Sequence, residues 1–397
     1  MNNIGIIAEY NPFHNGHKYQ LEKIKEITKY DNAICVISGN FIQRGLPAIY
    51  DKWTRTKMAL EAGFDLVIEL PTYYAVNSAE KFAFGGINIL NNLGIINNVC
   101  FGVENDDISS LNKIANILVN EPKEYTKILK EELQKGLSYA KSRENSIIKY
   151  TNKKEYGNIL NSSNNILGIE YLKALKKINS NMSPILIKRH ISNYNDINIE
   201  SNICSATAIR ELMDNNNNLN KEQILSNVVP TSTYNIMKNS IIKSLKDLEK
   251  EIIYSIRKMS IEELSQILEV NEGIEIRLKK YSFETDDIYQ LVDLVKSKRF
   301  TQTKIQRILI HILLNMTKNE FNCINKDNEY IRVLGFNKNG KKLLKHIAQN
   351  TNIPIITSVN KYIKQYGINS LLEKDILSSN IYLGKYNIDY TQKIIEI

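Results

Sequence analysis

Residues 4–21 read Ile4-Gly5-Ile6-Ile7-Ala8, then Glu9-Tyr10-Asn11-Pro12-Phe13-His14-Asn15-Gly16-His17-Lys18-Tyr19-Gln20-Leu21. The first five residues have the apolar pattern of a buried strand. A polar loop with Pro and Gly follows, and helical spacing begins near His17. His14 and His17 flank Asn15 and Gly16, so two imidazoles converge at a helix N-terminus. Free backbone N–H groups and the helix dipole favour phosphate there. Pro12 stiffens the loop, and Gly16 lets the backbone approach a ligand or take a positive φ. Two of the five histidines of the chain lie in this one stretch. A single surface histidine would mean little; HxGH directly after the first strand of a parallel sheet points to phosphate chemistry.

The alternation continues outward. Ala33–Ile37, Leu66–Leu70 and Val99–Gly102 read as further strands. Asp51 is a candidate N-cap for a helix through Ala62 that Gly63 stops, and Ser78–Leu93 reads as another helix. Short apolar strands separated by helices predict an α/β fold: a Rossmann-like doubly wound parallel sheet covered on both faces. Ligands of such sheets bind beyond the carboxyl ends of the strands, where the strand order reverses. Residues 107–150 look like a polar helical insertion or cover. The pattern resumes with helix Asn165–Lys177, strand Ile185–Lys188 and a helix start at Ser205–Met213. Asp214–Asn218 reads DNNNN, a solvated linker. Division into a catalytic domain over 1–215 and a mainly helical C-terminal region over 220–397, with a small α/β tail, follows.

The 397 residues carry a net charge of +9, and the hydrophobic fraction of 43% with 7 Pro and 17 Gly excludes collagen-like or broadly disordered chains. No apolar run is long enough to span a bilayer, and MNNIGIIAEY lacks the basic flank and apolar core of a signal peptide. Cys35, Cys100, Cys204 and Cys323 are isolated, so a reducing, cytoplasmic setting is expected. The charge is local. Lys296–Asn350 holds twelve basic side chains against Glu320, Asp327 and Glu329, so the rest of the chain is neutral on balance. A neutral body with one basic segment suggests docking to an anionic partner.

A second phosphate-binding stretch is Ile203-Cys204-Ser205-Ala206-Thr207-Ala208-Ile209-Arg210. Ser205 and Thr207 can cap a helix and meet phosphate oxygens, and Arg210 adds a fixed cation. With HNGH it resembles the two signatures of the HIGH-motif nucleotidyltransferase superfamily, departing only in a small residue, Ala206, where that pattern has Ser or Thr. Arg257-Lys258-Met259-Ser260 is similar to the KMSKS loop of class I aminoacyl-tRNA synthetases, but Glu263 follows, and Ser260 with Glu263 makes a helix capping box instead.

Longer stretches narrow the resemblance. GIIAEYNPFHNGHKYQL, ISGNFIQRGLPAIYDKWTRTKMAL, FDLVIELP, CFGVE, SSNNILGIEYLKAL, IKRHISNYND and SATAIREL fall in order over the first half. RFTQTKIQRILIHILL and IRVLGFNKNGKKLL follow. Together they resemble the bacterial tRNA(Met) cytidine acetate ligase family, nearly end to end. The resemblance implies that acetate and ATP give acetyl-adenylate and pyrophosphate, and that the acetyl group then passes to N4 of the wobble cytidine of elongator tRNA(Met). It implies catalytic roles for His14, His17, Lys18 and Arg210. An ATP site is implied at Ile7, Ala8, Glu9, Tyr10, Asn11, Pro12, Phe13, His14, Asn15, Gly16, His17, Lys18, Tyr19 and Gln20, with Gly102, Asn164 or Asn165, Arg189, Ser205 and Thr207. No metal-ligand cluster appears, so Mg²⁺ is expected to arrive with ATP.

Lys304, Arg307 and His311 share one helix face, and Arg299 and Phe300 precede that helix. With Lys341 and Lys342 they are the candidate tRNA-backbone contacts. Tyr10 or Phe13 could stack on a base. Arg44, Lys52 and Arg55 are cations without an assigned role, and Trp53 is read as core packing. Two alternatives stay open: a small-molecule adenylyltransferase of the same superfamily, and a non-catalytic RNA-binding protein.

Overall fold

The structure, a computed structural model, describes residues 1–189, 203–214, 220–324 and 329–397. Most of the DNNNN linker and the end of the IKRHISNYND stretch lie outside them. Ten strands are present among the described residues: β1 (Asn3–Ala8), β2 (Asn32–Ser38), β3 (Phe41–Ile42), β4 (Leu46–Pro47), β5 (Leu66–Leu70), β6 (Asn98–Val103), β7 (Ser183–Lys188), β8 (Ile331–Phe336), β9 (Ile355–Ile356) and β10 (Ile395–Glu396).

Eight of them form one sheet in the order β10-β8-β5-β2-β1-β6-β7, with β9 also on β8; β3 and β4 make a separate hairpin. The run β5-β2-β1-β6-β7 is wholly parallel. Alternate side chains leave for opposite faces, as the two-residue period of a strand requires. Ile7, Ile34, Val36, Leu66 and Ile68 enter one core with helices Ala79–Asn92, Ile108–Asn120 and Ser163–Lys177. Ile4, Ile6, Cys35, Ile37 and Val67 enter the other, under helices Asn15–Thr28 and Lys52–Glu61. Trp53 lies in this second core, 8% exposed, as read from the sequence. The expected insertion is no separate lobe: Leu111, Ile114, Leu118 and Ile147 share the first core.

The C-terminal tail does not build a sheet of its own. Strand β8 runs antiparallel to β5, pairing Leu66 with Phe336, so the sheet crosses the expected boundary near residue 215. A buried group of four charges holds this junction. Lys52 Nζ lies 2.9 Å from Glu69 Oε1 and 3.2 Å from Asp389 Oδ2, while Arg332 reaches Glu69 Oε2 and Asp389 Oδ1, each at 3.1 Å. Two cations and two carboxylates balance, which lets all four be buried. Beside them Asp375 accepts from Thr72 N and from the Tyr330 hydroxyl. Burial, with the Glu69 charge, pushes its carboxyl up to about 7.

Between sheet and tail, residues 245–316 form a helical body whose apolar core, including Ile252, Ile256, Leu291, Ile305 and Leu309, is shared with Tyr330, Ile356 and Leu372 of the tail. Phe41 of the β3–β4 hairpin also enters that core. Gly45, at the hairpin turn, has φ +73°, and a Cβ there would stand 2.1 Å from Arg307 N. Only glycine allows this backbone-to-backbone contact.

Candidate active site

Winding reverses between β1 and β6, which opens a crevice at their carboxyl ends. The loop after β1 enters it and ends at His14, the N-cap of helix Asn15–Thr28. The cap is built from the two histidines. His14 Nδ1 accepts from Gly16 N at 3.0 Å, and His17 Nδ1 accepts from His14 N at 3.2 Å. The rings stack with centroids 3.7 Å apart. Gly16 serves this cap: its φ is not positive, and a Cβ would meet His14 Cε1 at 2.8 Å.

These bonds assign the tautomers. A nitrogen that accepts from a backbone N–H carries no proton, so each neutral ring holds its proton on Nε2. Burial, followed by the charges of Arg189 and Arg210, lowers the His14 pKa to about 3. Burial, His14 and then Arg189 lower that of His17 well below its ordinary value. At neutral pH the pair therefore offers two fixed, uncharged Nε2–H donors at a helix N-terminus. Two such donors, with cations nearby, suit an oxygen on which negative charge develops.

Both histidines border a cleft of about 180 Å³, together with Gln20, Gly102, Asn164, Arg189 and Ser205. Tyr19 borders it too, and Asn15 Nδ2 donates to Asn227 O at 2.8 Å. The two asparagines divide their work. Asn165 is 1% exposed, and its Oδ1 accepts from Glu104 N and Asn105 N, fixing the end of β6. Asn164 faces the cleft, its Nδ2 donating to Glu104 Oε1 at 2.6 Å and its Oδ1 3.4 Å from Arg189 Nη1. Ser205 Oγ accepts from Ala208 N, and Arg210 donates to Asn11 O at 2.8 Å and Thr207 Oγ1 at 3.1 Å. Arg210 thereby ties the second phosphate stretch to the histidine loop.

A model of the HIGH Nucleotidyl Transferase family matches residues 1–394. Similar over almost the whole length is the tRNA(Met) cytidine acetate ligase of Thermoanaerobacter sp. (strain X514), 44% identical over 405 residues and 99% of both chains. The protein of the same name from Clostridium perfringens (strain ATCC 13124) is 44% identical over 98% of both. The chain belongs to the tRNA(Met) cytidine acetate ligase family. Its fold is shared with Thermotoga maritima TmcAL bound with alpha-thio ATP, at TM-score 0.91 and 31% identity over the full length of both chains.

Within this ligase-family fold the residues singled out from sequence go different ways. Lys18 does not border the cleft; it is exposed and lies 3.8 Å from Glu22. Its placement does not support a role beside the histidines. Tyr10 and Phe13 are 2% and 0% exposed and pack on each other, so neither ring is free to stack on a base. Lys52 belongs to the buried charge group. Arg55 donates to the carbonyls of Tyr50, Glu9 and Gly39, clamping the loops after β1 and β2. Ser260 and Glu263 form the expected capping box.

The basic segment does not fold into one face. Arg307 is buried and pairs with Glu269, and Arg332 is in the charge group. His311 is 0% exposed, with Nε2 2.7 Å from Val76 O and Nδ1 3.0 Å from Leu268 O. The sequence reading of a solvent-facing basic stripe is therefore corrected: Glu269, Leu268 and Val76 meet its side chains, and Gly45 of the β3–β4 hairpin rests on its backbone at Arg307. Lys304 is half-buried and donates to Asn271 Oδ1, and Arg299 is exposed. Lys341 and Lys342 are exposed in the first turn of helix Lys338–Asn350. That turn abuts Asp65, before the first residue of β5, at the sheet end opposite the histidine loop.

Proposed function

We propose that this protein activates acetate with ATP as acetyl-adenylate and acetylates N4 of the wobble cytidine of elongator tRNA(Met), in the cytoplasm. The observation that carries the reading is the reciprocal histidine cap, which aims two neutral Nε2–H donors into the crevice. ATP would lie along the loop Ile7–Gln20, with Gly102, Asn164 and Arg189 toward the nucleoside. Ser205, Thr207 and Arg210 would stand toward the phosphates. An acetate oxygen attacks the α-phosphorus, the bond to the β-phosphate bridge breaks, and pyrophosphate leaves. His14 and His17 stabilise the charge on the α-phosphoryl oxygens. The cytidine amine then attacks the acetyl carbonyl, AMP leaves with the oxygen that joined it to the acetyl group, and N4 loses one proton. The names of the relatives and the ATP analogue on the Thermotoga protein support the substrates.

Among the described residues no cluster of three or more His, Cys, Asp or Glu could hold a metal. Mg²⁺ would enter with the nucleotide, screening the pyrophosphate. Arg299, Lys304, Lys341 and Lys342 are the solvent-reaching candidates for tRNA phosphates.

Heavy-oxygen-labelled acetate tests the intermediate. Attack at the α-phosphorus delivers one labelled oxygen to AMP when tRNA is acetylated. Label in inorganic phosphate with ADP as co-product would instead indicate acetyl phosphate and refute the adenylate.

A further inference from the structure

The crevice has two chambers. The second, of about 240 Å³, shares His17, Gln20, Gly102, Asn164 and Arg189 with the first and extends beneath β1 toward the β3–β4 hairpin. It contains two groups with unspent hydrogen-bond donors. Arg44 is exposed and borders this chamber, and its guanidinium has no hydrogen bond or ion pair among the described residues. Arg55 and Arg210, by contrast, are each committed to backbone carbonyls. Asn11 is 3% exposed; its Oδ1 accepts from Ile49 N at 2.6 Å, but its buried Nδ2 has no partner among the described residues. An unpaired buried donor is costly, and a ligand oxygen would satisfy it.

The hairpin holds Arg44 in place. Gln43 N donates to Glu9 Oε1 at 2.9 Å, Gln43 Nε2 donates to Asn77 O at 3.0 Å, and Gly45 rests on the helix Gln302–Leu313. A cation on so fixed a turn loses little freedom on binding an anion. The remaining walls include Phe82, Phe101, Leu167 and the Glu9 carboxylate. An apolar wall and a carboxylate suit a small monoanion with a methyl group better than a pyrophosphate.

We propose that the second chamber is the acetate site, with Arg44 and Asn11 Nδ2 holding the carboxylate for attack on the α-phosphorus. This inference rests on the acetate-ligase reading above. The test is steady-state acetylation of tRNA(Met) by the full chain, varying acetate, ATP and tRNA in turn. Arg44→Ala should raise KM for acetate at least tenfold, with KM for ATP and for tRNA within about twofold of the parent. Arg44→Lys should recover part of that loss. Asn11→Asp, which keeps the acceptor to Ile49 but replaces the donor with a charge, should raise KM for acetate more than Arg44→Lys does. A rise confined to ATP would move Arg44 to the pyrophosphate, and one confined to tRNA would move it to the RNA backbone; either overturns the assignment, as does no change. If the parent enzyme itself shows no acetate-dependent product, the functional reading fails, not this placement alone.

Discussion

The crevice and the buried junction both gather cations, and they treat them in opposite ways. At the junction Lys52 and Arg332 are matched by Glu69 and Asp389 within 3.2 Å. In the crevice Arg44 and Arg189 form no ion pair among the described residues, and the two imidazoles beside them are kept neutral. A folded chain can bury charge only when it is balanced, whereas a site for anions must keep donors in reserve. Cation count alone does not distinguish the two regions; partner geometry does.

The largest expected effect would break the junction. Arg332→Met leaves Glu69 and Asp389 facing a single cation, and removal of one partner from a buried ionic group costs about 3–5 kcal/mol. The thermal midpoint should fall sharply while the residual folded enzyme keeps its KM for ATP. Next, His14→Ala or His17→Ala should lower acetyl transfer by about 10²–10³-fold, the usual cost of one fixed donor at a developing oxyanion. The tRNA affinity should barely move, and the midpoint should fall only by the cost of a lost helix cap, about 0.5–2 kcal/mol. If the histidine variants unfolded and Arg332→Met only lost turnover, the comparison would be reversed.

A smaller effect concerns acid. His14 has a folded pKa of about 3 against an ordinary 6.5, so the unfolded chain takes up the proton first. Stability is complete above pH 6.5 and declines as the pH falls toward 3, by about 2 kcal/mol at pH 5 for this residue alone. Melting curves of the parent and His14→Gln over that range should converge at low pH. Smallest is the paired change Lys341→Ala with Lys342→Ala. If these lysines meet tRNA phosphates, the salt slope of binding falls by roughly 1–2. Arg307→Ala should leave that slope alone and lower stability instead, because its partner is Glu269.

Which parts were legible follows from the range of the interactions. The parallel strands and the histidine loop could be read because their logic closes within a few residues: apolar runs, then a cap between positions 14 and 17. Gly16 takes no positive φ; it borders the cleft, and a Cβ there would also meet the His14 ring. Lys52 looked like Arg44 in sequence, yet one meets Asp389, 337 residues away, and the other meets open space. Helical spacing put Lys304, Arg307 and His311 on one face, but periodicity says nothing of what covers a face. Here Glu269, Leu268 and Val76 meet Arg307 and His311, and Gly45 rests on the backbone at Arg307. The orphaned Asn11 Nδ2 carries no sequence signal, because only the fold decides which donors find partners.

One measurement bears most directly on the crevice. The protein is incubated with ATP, radiolabelled acetate and tRNA(Met), and the RNA is digested to nucleosides. Label in N4-acetylcytidine, with one AMP formed per acetyl group and about a hundredth of it or less with His14→Ala, is the predicted result. Transfer of AMP without acetate, or tRNA binding with no label in the RNA, would contradict it.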